Sequence, residues 1–449
     1  MLFNSWEFIL FFCIVFAIYY TLTFRFRPLL LLVASYLFYM FWKWEFAVIM
    51  LAVTAVNYYT GLKIANSTSK KQQKTYLGIS VLASLLPLVY FKYANFFIDN
   101  FESLLYSMGF QVNTFSLSVI LPVGISFFTF QAMSYSFDVY NKKTLAEANF
   151  INFASFVAFF PQLVAGPIER SSNLLTQFRE KHYFKFNFLI EGSKLFIWGL
   201  FKKVVIADRL SIYVDRIYEN PELYSSPTLA VATLFFTVQI YCDFSGYSDM
   251  AIGTARMLGF RLMQNFNLPY LAHSIGDFWK RWHISLSSWF GDYLYVPLGG
   301  NRVPYLRWII NIFIVFLISG FWHGANWTFI VWGALNAIYF LPLLLTKNNR
   351  NNIDIVAKGK LLPSLREFVL MTITFSLTVF AWIFFRAQTL NQAIDIIKAV
   401  FSASVFAVPY FKDIELIYPF IPLLVLFVLT EWFGRESEYA IEHLFNKKK

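Results

Sequence analysis

The chain alternates long apolar blocks with short polar breaks, and the blocks repeat at roughly the length a bilayer demands, about 20 residues for a helix. Apolar stretches run at Trp6–Phe24, Pro28–Trp42, Phe46–Leu62, Tyr76–Phe91, Phe115–Tyr140 and Asn149–Gly166. Others follow at Phe188–Ala207, Thr228–Gly246, Trp308–Phe321, Trp327–Leu345, Phe368–Phe385 and Leu416–Phe433. The pattern predicts an all-α, polytopic membrane protein of about eleven spans, with a shorter stretch re-entrant or interfacial. No internal repeat or soluble domain interrupts it, so residues 1–449 read as a single integral membrane domain.

The segment from Asp243 to Pro304 breaks the rhythm, being long, only moderately apolar and rich in Gly, Trp and charge. Irregular backbone at membrane depth is tolerated only where protein or a water-filled cavity surrounds it. This segment is therefore the first place to look for a site, and residues 239–337 around it are the expected core.

Composition removes the soluble alternatives. Of 449 residues 58% are hydrophobic and 14% charged, with a net charge of +11, whereas soluble domains carry about 25% charged residues. In a soluble protein that positive charge would suggest nucleic acid. Here it is assigned to cytoplasmic loops under the positive-inside rule, so membrane lipid and not nucleic acid is the expected surrounding. Arg25 and Arg27, the Lys63 to Lys74 group, and Lys142 with Lys143 fall in alternate loops. An external N-terminus satisfies all of them, with the Lys347–Arg366 linker and Lys447–Lys449 cytoplasmic. The first span lacks a basic lead and a cleavage site, so it is expected to be retained. Cys13 and Cys242 lie in separate apolar runs and predict no disulfide framework and no cysteine metal site.

Five histidines remain. His182, His273 and His443 sit in settings that predict structural roles. His283, in DFWKRWHISLSSWF, and His323, in ISGFWHGANW, stand 40 residues apart. His323 interrupts an apolar helix, where an ionisable group is a functional candidate. Gly320, Gly324 and Ala325 beside it leave room for close backbone packing or for a ligand. Imidazole is the side chain that takes a proton near neutral pH, the service an attacking hydroxyl requires in acyl transfer. Two histidines without a clear carboxylate third ligand give only a weak signal for a metal site. Ser285, Ser287 and Ser288 are near, but no G-x-S-x-G elbow is present. DFWKRWHISLSSWF has helical length, with Trp279, Trp282 and Trp289 expected as an interfacial aromatic belt. Lys280 and Arg281 are candidates for contacting donor phosphates.

At these residues the chain resembles the membrane-bound O-acyltransferase family, within its bacterial alginate O-acetylation branch. PVGISFFTFQAMSYSFDVY, FFPQLVAGPIER, QIYCDFSGYSDMAIGTARMLGF, NFNLPYLAHSIGDFWKRWHISLSSWFGDYLYVPLGGNR and FWHGANWTFIVWGALNA carry the likeness. Gly291 stands where relatives often have Arg. The resemblance implies helices around a central tunnel, His323 and His283 as catalytic positions, and Trp282, Ser287, Trp322 and Asn326 lining the passage. It implies no tightly bound cofactor, acetyl-CoA as donor and a periplasmic SGNH-type acetyltransferase as partner, alongside other envelope-polysaccharide synthesis proteins. The expected location is the bacterial inner membrane, and the expected acceptor alginate-like polysaccharide, cellulose or peptidoglycan. A multi-span transporter or a non-catalytic scaffold of an envelope complex also fits a polar-studded membrane chain.

Overall fold

The computed structural model describes residues 1–110, 116–346, 355–402 and 406–442. Phe115, the start of the basic linker at Lys347, His443 and Lys447–Lys449 lie outside the described residues. Every regular element among the described residues is helical. In chain order these are α1 (Trp6–Thr21), α2 (Arg27–Met40), α3 (Trp44–Asn66), α4 (Lys70–Leu88), α5 (Ala94–Ser107), α6 (Ile125–Tyr140), α7 (Phe150–Ala158), α8 (Phe186–Leu200) and α9 (Asp208–Glu219). They continue as α10 (Ser226–Met257), α11 (Ile275–Arg281), α12 (Ile284–Phe290), α13 (Tyr305–His323), α14 (Trp327–Leu345), α15 (Leu365–Arg386), α16 (Leu390–Val400) and α17 (Ile421–Phe433).

Six helical stretches are long and apolar enough to cross a bilayer: Trp44–Asn66, Lys70–Ser107, Ser226–Met257, Tyr305–His323, Trp327–Leu345 and Leu365–Arg386. Trp6–Thr21 and Ile421–Phe433 are shorter apolar helices. Asn149–Gly166, expected as a span, is helical only over Phe150–Ala158. Pro161 and Pro167 lie downstream, and proline removes an amide donor that a helix needs. The stretch predicted to end at Gly246 instead continues as one helix to Met257, so Asp243 to Met257 belongs to α10 and the irregular region begins after it.

Contacts group the chain into two compact units, Met1–Ser193 with Ala251–Met263, and Lys194–Met250 with Gln264–Lys449. In the first, α3, α4 and α6 pack around a buried polar knot. Asn57 Nδ2 donates to Ser84 Oγ at 2.8 Å, while Ser80 and Ser136 hydroxyls donate to Asn57 Oδ1 at 2.5 and 3.0 Å. Interhelical hydrogen bonds of this kind hold apolar helices together where lipid supplies no hydrophobic driving force.

In the second unit α13 and α14 form an antiparallel hairpin. A Cβ on Gly320 would stand 2.2 Å from the Phe329 carbonyl oxygen, and one on Gly333 2.4 Å from that of Phe316. These glycines let the two backbones touch, so Gly320 serves close packing, the first of the two uses its sequence left open. Around the hairpin lies an aromatic core. Trp332 and Trp382 stack with centroids 5.8 Å apart, and Trp282 lies 5.0 Å from Trp382.

Candidate functional site

The element carrying His283 is built by breaking a helix. The segment expected as one amphipathic helix divides into α11 and α12, with His283 between them at φ 44° and ψ 54°. A non-glycine residue in the left-handed region is strained and persists only when its surroundings hold it. Here Asn265 is the brace. Its backbone carbonyl accepts from Ile284 N at 2.9 Å, and its Oδ1 accepts from Ser285 Oγ at 2.9 Å and Ser285 N at 3.3 Å. The same Oδ1 accepts from His283 Nδ1 at 3.2 Å. Asn265 Nδ2 donates to Ser248 Oγ on α10 at 3.0 Å, and the Ser285 backbone N–H, which can only donate, fixes the amide oxygen as the end that faces the imidazole. With Nδ1 donating, the lone pair of a neutral imidazole lies on Nε2.

The break corrects the expected aromatic belt. Trp282 and Trp289 are buried, and Trp279 is half-buried against Phe316 and Trp332. These indoles fill the interior of the unit and do not form an interfacial stripe.

His323 ends α13, half-buried where His283 is fully enclosed. Trp322 joins the two histidines, its ring centroid 6.0 Å from that of His283 and 5.0 Å from that of His323. The His323 ring is edge-on to Trp332 at 5.1 Å and to Phe385 at 5.3 Å. His283 in turn lies edge-on to Phe244 of α10, centroids 4.6 Å apart. Two imidazoles 40 residues apart in sequence thus share one aromatic-walled site. Neither is grouped with enough His, Cys or carboxylate ligands for a metal ion among the described residues.

The remaining expected positions divide. Trp282 is buried in the aromatic core, and its carbonyl accepts from Ser287 Oγ at 3.3 Å. Asn326 caps α14 through Thr328 N and donates to the Gln388 carbonyl at 2.8 Å, and both residues line a cavity with Phe385. Lys280 and Arg281 are not brought together. Lys280 is exposed, whereas Arg281 is buried and holds Asp277 at 2.9 Å. Of the histidines expected to be structural, His182 Nε2 lies 2.8 Å from the Gln177 carbonyl, and His273 donates its backbone N–H to Asp277 at 3.2 Å.

Sequence reasoning missed Asn265, Ser248 and Ser285 as a supporting shell. Asn265 stands in the quoted NFNLPY stretch, but an asparagine before a proline-containing turn ordinarily signals only the turn. Its contacts reach across 18 residues to His283 and 17 back to Ser248.

Comparison with known proteins places this arrangement. The model of the MBOAT, membrane-bound O-acyltransferase, family matches residues 29–382. The chain is 42% identical over 407 residues to a probable alginate O-acetylase AlgI of Pseudomonas aeruginosa, covering 90% of this chain and 75% of that protein. It is 36% identical over 401 residues to a peptidoglycan O-acetyltransferase of Helicobacter pylori, covering 84% and 74%. A teichoic acid D-alanyltransferase of Bacillus subtilis is more distant, 27% identical over 292 residues and covering 61% and 71%.

Proposed function

Because the chain belongs to the membrane-bound O-acyltransferase family, we propose that it passes an acetyl group from a cytoplasmic donor, acetyl-CoA, across the bacterial inner membrane for O-acetylation of an envelope or extracellular polysaccharide. Family membership makes it a multi-pass membrane acyltransferase, and the transporter and scaffold readings give way to that. The relatives named for alginate and peptidoglycan O-acetylation support the acetyl group and the glycan. A periplasmic SGNH-type acetyltransferase as partner fits a site that delivers acyl groups outward.

The observation that carries the reading is the convergence of His283 and His323 on Trp322 inside one aromatic-walled site. His323 acts as the base. As the acceptor oxygen attacks the carbonyl carbon, the imidazole takes the hydroxyl proton, the new C–O bond forms and the C–S bond of the thioester breaks. The proton then leaves with the thiolate, so acetyl thioester and alcohol become ester and thiol. The Asn265 bond bears on the role of His283. With Nδ1–H given to Asn265, Nε2 is an acceptor and suits orienting a hydroxyl better than stabilising an oxyanion. The aromatic walls exclude water, which would compete as acceptor and hydrolyse the donor.

Removal of a positioned general base costs about 10²–10⁴-fold in rate. His323→Ala is therefore expected to abolish glycan O-acetylation in cells while the protein stays at normal abundance in the membrane. Wild-type acetate content in that strain would defeat the proposal.

A further inference from the structure

The two imidazoles keep their Nε2 atoms away from water, for both are buried. Phe385, in the wall around them, faces two ways. Its ring packs edge-on against His323 at 5.3 Å, Phe329 at 5.0 Å, Trp332 at 5.2 Å and Trp382 at 5.1 Å. It is nevertheless only half-buried, and it also lines a cavity of about 530 Å³. One side chain thus touches both the catalytic imidazole and an open space.

That space is polar. Asp243 and Arg386 bring charge to its wall, and Gln239 Oε1 there is a buried acceptor without a hydrogen bond. A cavity of this size with several polar groups is one that water enters. Its place in the fold gives the side from which water comes. Asn326 caps the start of α14 and Arg386 closes α15, and both line the cavity. The opposite ends of those helices adjoin the stretch holding Lys358, Lys360 and Arg366. Basic segments stay in the cytoplasm, so the cavity lies at the outer end, away from the donor.

A base that takes a proton from an acceptor hydroxyl can take one from water as well. The water oxygen would then bond to the carbonyl carbon, the C–S bond would break, and the proton would leave on the thiolate. Acetyl thioester and water would become acetic acid and thiol, and nothing would be acylated. Building on the acyl-transfer reading, we infer that the Phe385 ring is the partition between His323 and this outer water, and so sets transfer against hydrolysis. Phe385 moves no proton and holds no reactant. It determines specificity by what it keeps out.

The test uses inside-out membrane vesicles from cells that make the full-length protein together with its own envelope machinery. They are supplied with acetyl-CoA labelled in the acetyl group. Label bound to macromolecules and free labelled acetate are both read, each after subtracting the His323→Ala background. Phe385→Ala should raise the ratio of acetate to bound label by about tenfold or more, the scale on which one pocket contact sets discrimination. Phe385→Leu should fall between, and Phe385→Tyr, which keeps the ring, should stay near the wild type. The extra acetate should vanish when His323→Ala is combined with Phe385→Ala. An unchanged ratio, a fall in both products at constant ratio, or acetate that survives the double substitution would each overturn the inference. Phe385→Leu carries the test by itself where the alanine variant does not accumulate in the membrane. A wild type with no His323-dependent product sinks the acyl-transfer reading. A wild type that transfers acetyl, beside Phe385 variants whose ratio does not move, sinks only the partition.

Discussion

Asn265 shows how much of a site can rest on one oxygen atom. Its Oδ1 collects donors from His283 and Ser285, and its position is pinned by Ser248. Removing it as Asn265→Ala leaves buried donors unmet, at about 1–3 kcal/mol of stability, and frees the imidazole to turn. Turnover should drop about a hundredfold, while the Michaelis constant for acceptor stays near that of the wild type. Asn265→Asp tests orientation directly. A carboxylate still accepts from Nδ1 but stabilises the imidazolium, so activity is retained and the acid limb of the pH–rate profile moves to higher pH. An unchanged profile in Asn265→Asp would separate Asn265 from His283. This residue was not legible in advance, because an asparagine's partners 17 and 18 positions away leave no local mark. His323 was legible, since an imidazole within an apolar run is rare enough to stand out, whereas His283, in a stretch rich in tryptophan and charge, was carried by its motif.

At the scale of elements, the α13–α14 hairpin sets where His323 sits. The Gly320 and Gly333 backbones approach closely enough that a methyl on Gly320 would fall 3.3 Å from Gly333 Cα and much nearer the Phe329 carbonyl. Gly320→Ala should therefore force the helices apart, costing about 1–3 kcal/mol and lowering the thermal midpoint of the detergent-solubilised protein by several degrees. Because His323 lies three residues further along α13, activity should fall with it. Gly320→Ala and Gly333→Ala together should cost less than the sum of the two, since one separation relieves both clashes. Strict additivity would mean that the two glycines do not share a contact. Hydropathy located this hairpin and most of the long helices. It could not find the break at His283, because the apolar and aromatic spacing there continues at helical period straight through the turn.

At the scale of the whole molecule, stability should depend on pH through a carboxyl group outside the spanning helices. Glu169 is fully enclosed in the first unit, accepting from Met263 N at 2.5 Å and Asn173 Nδ2 at 2.7 Å. Burial, outweighing those bonds, pushes its pKa up to about 7. The folded state therefore binds this proton more tightly than the unfolded chain does. The resulting stabilisation is complete below the ordinary carboxylate range and is lost as pH rises through about 7. Glu169→Gln should flatten that part of the profile between pH 5 and 8, read as thermal midpoints against the wild type. Parallel profiles would show that Glu169 is ionised in the fold.

What the sequence determined alone was the solvent. Too little charge and too many apolar blocks leave lipid as the only surrounding that this chain can meet, and lipid in turn permits only self-satisfied backbone, here helices. Its motifs also carried the family and the pair of histidines. The tertiary structure decided which of those blocks remain whole, that Arg281 turns inward to Asp277, that Asn265 holds His283, and that Phe385, the ring against His323, also lines a cavity. The division has a physical basis: hydropathy sums along the chain and survives in one dimension, whereas hydrogen bonds and cavities join residues far apart in sequence and exist only once the helices have packed.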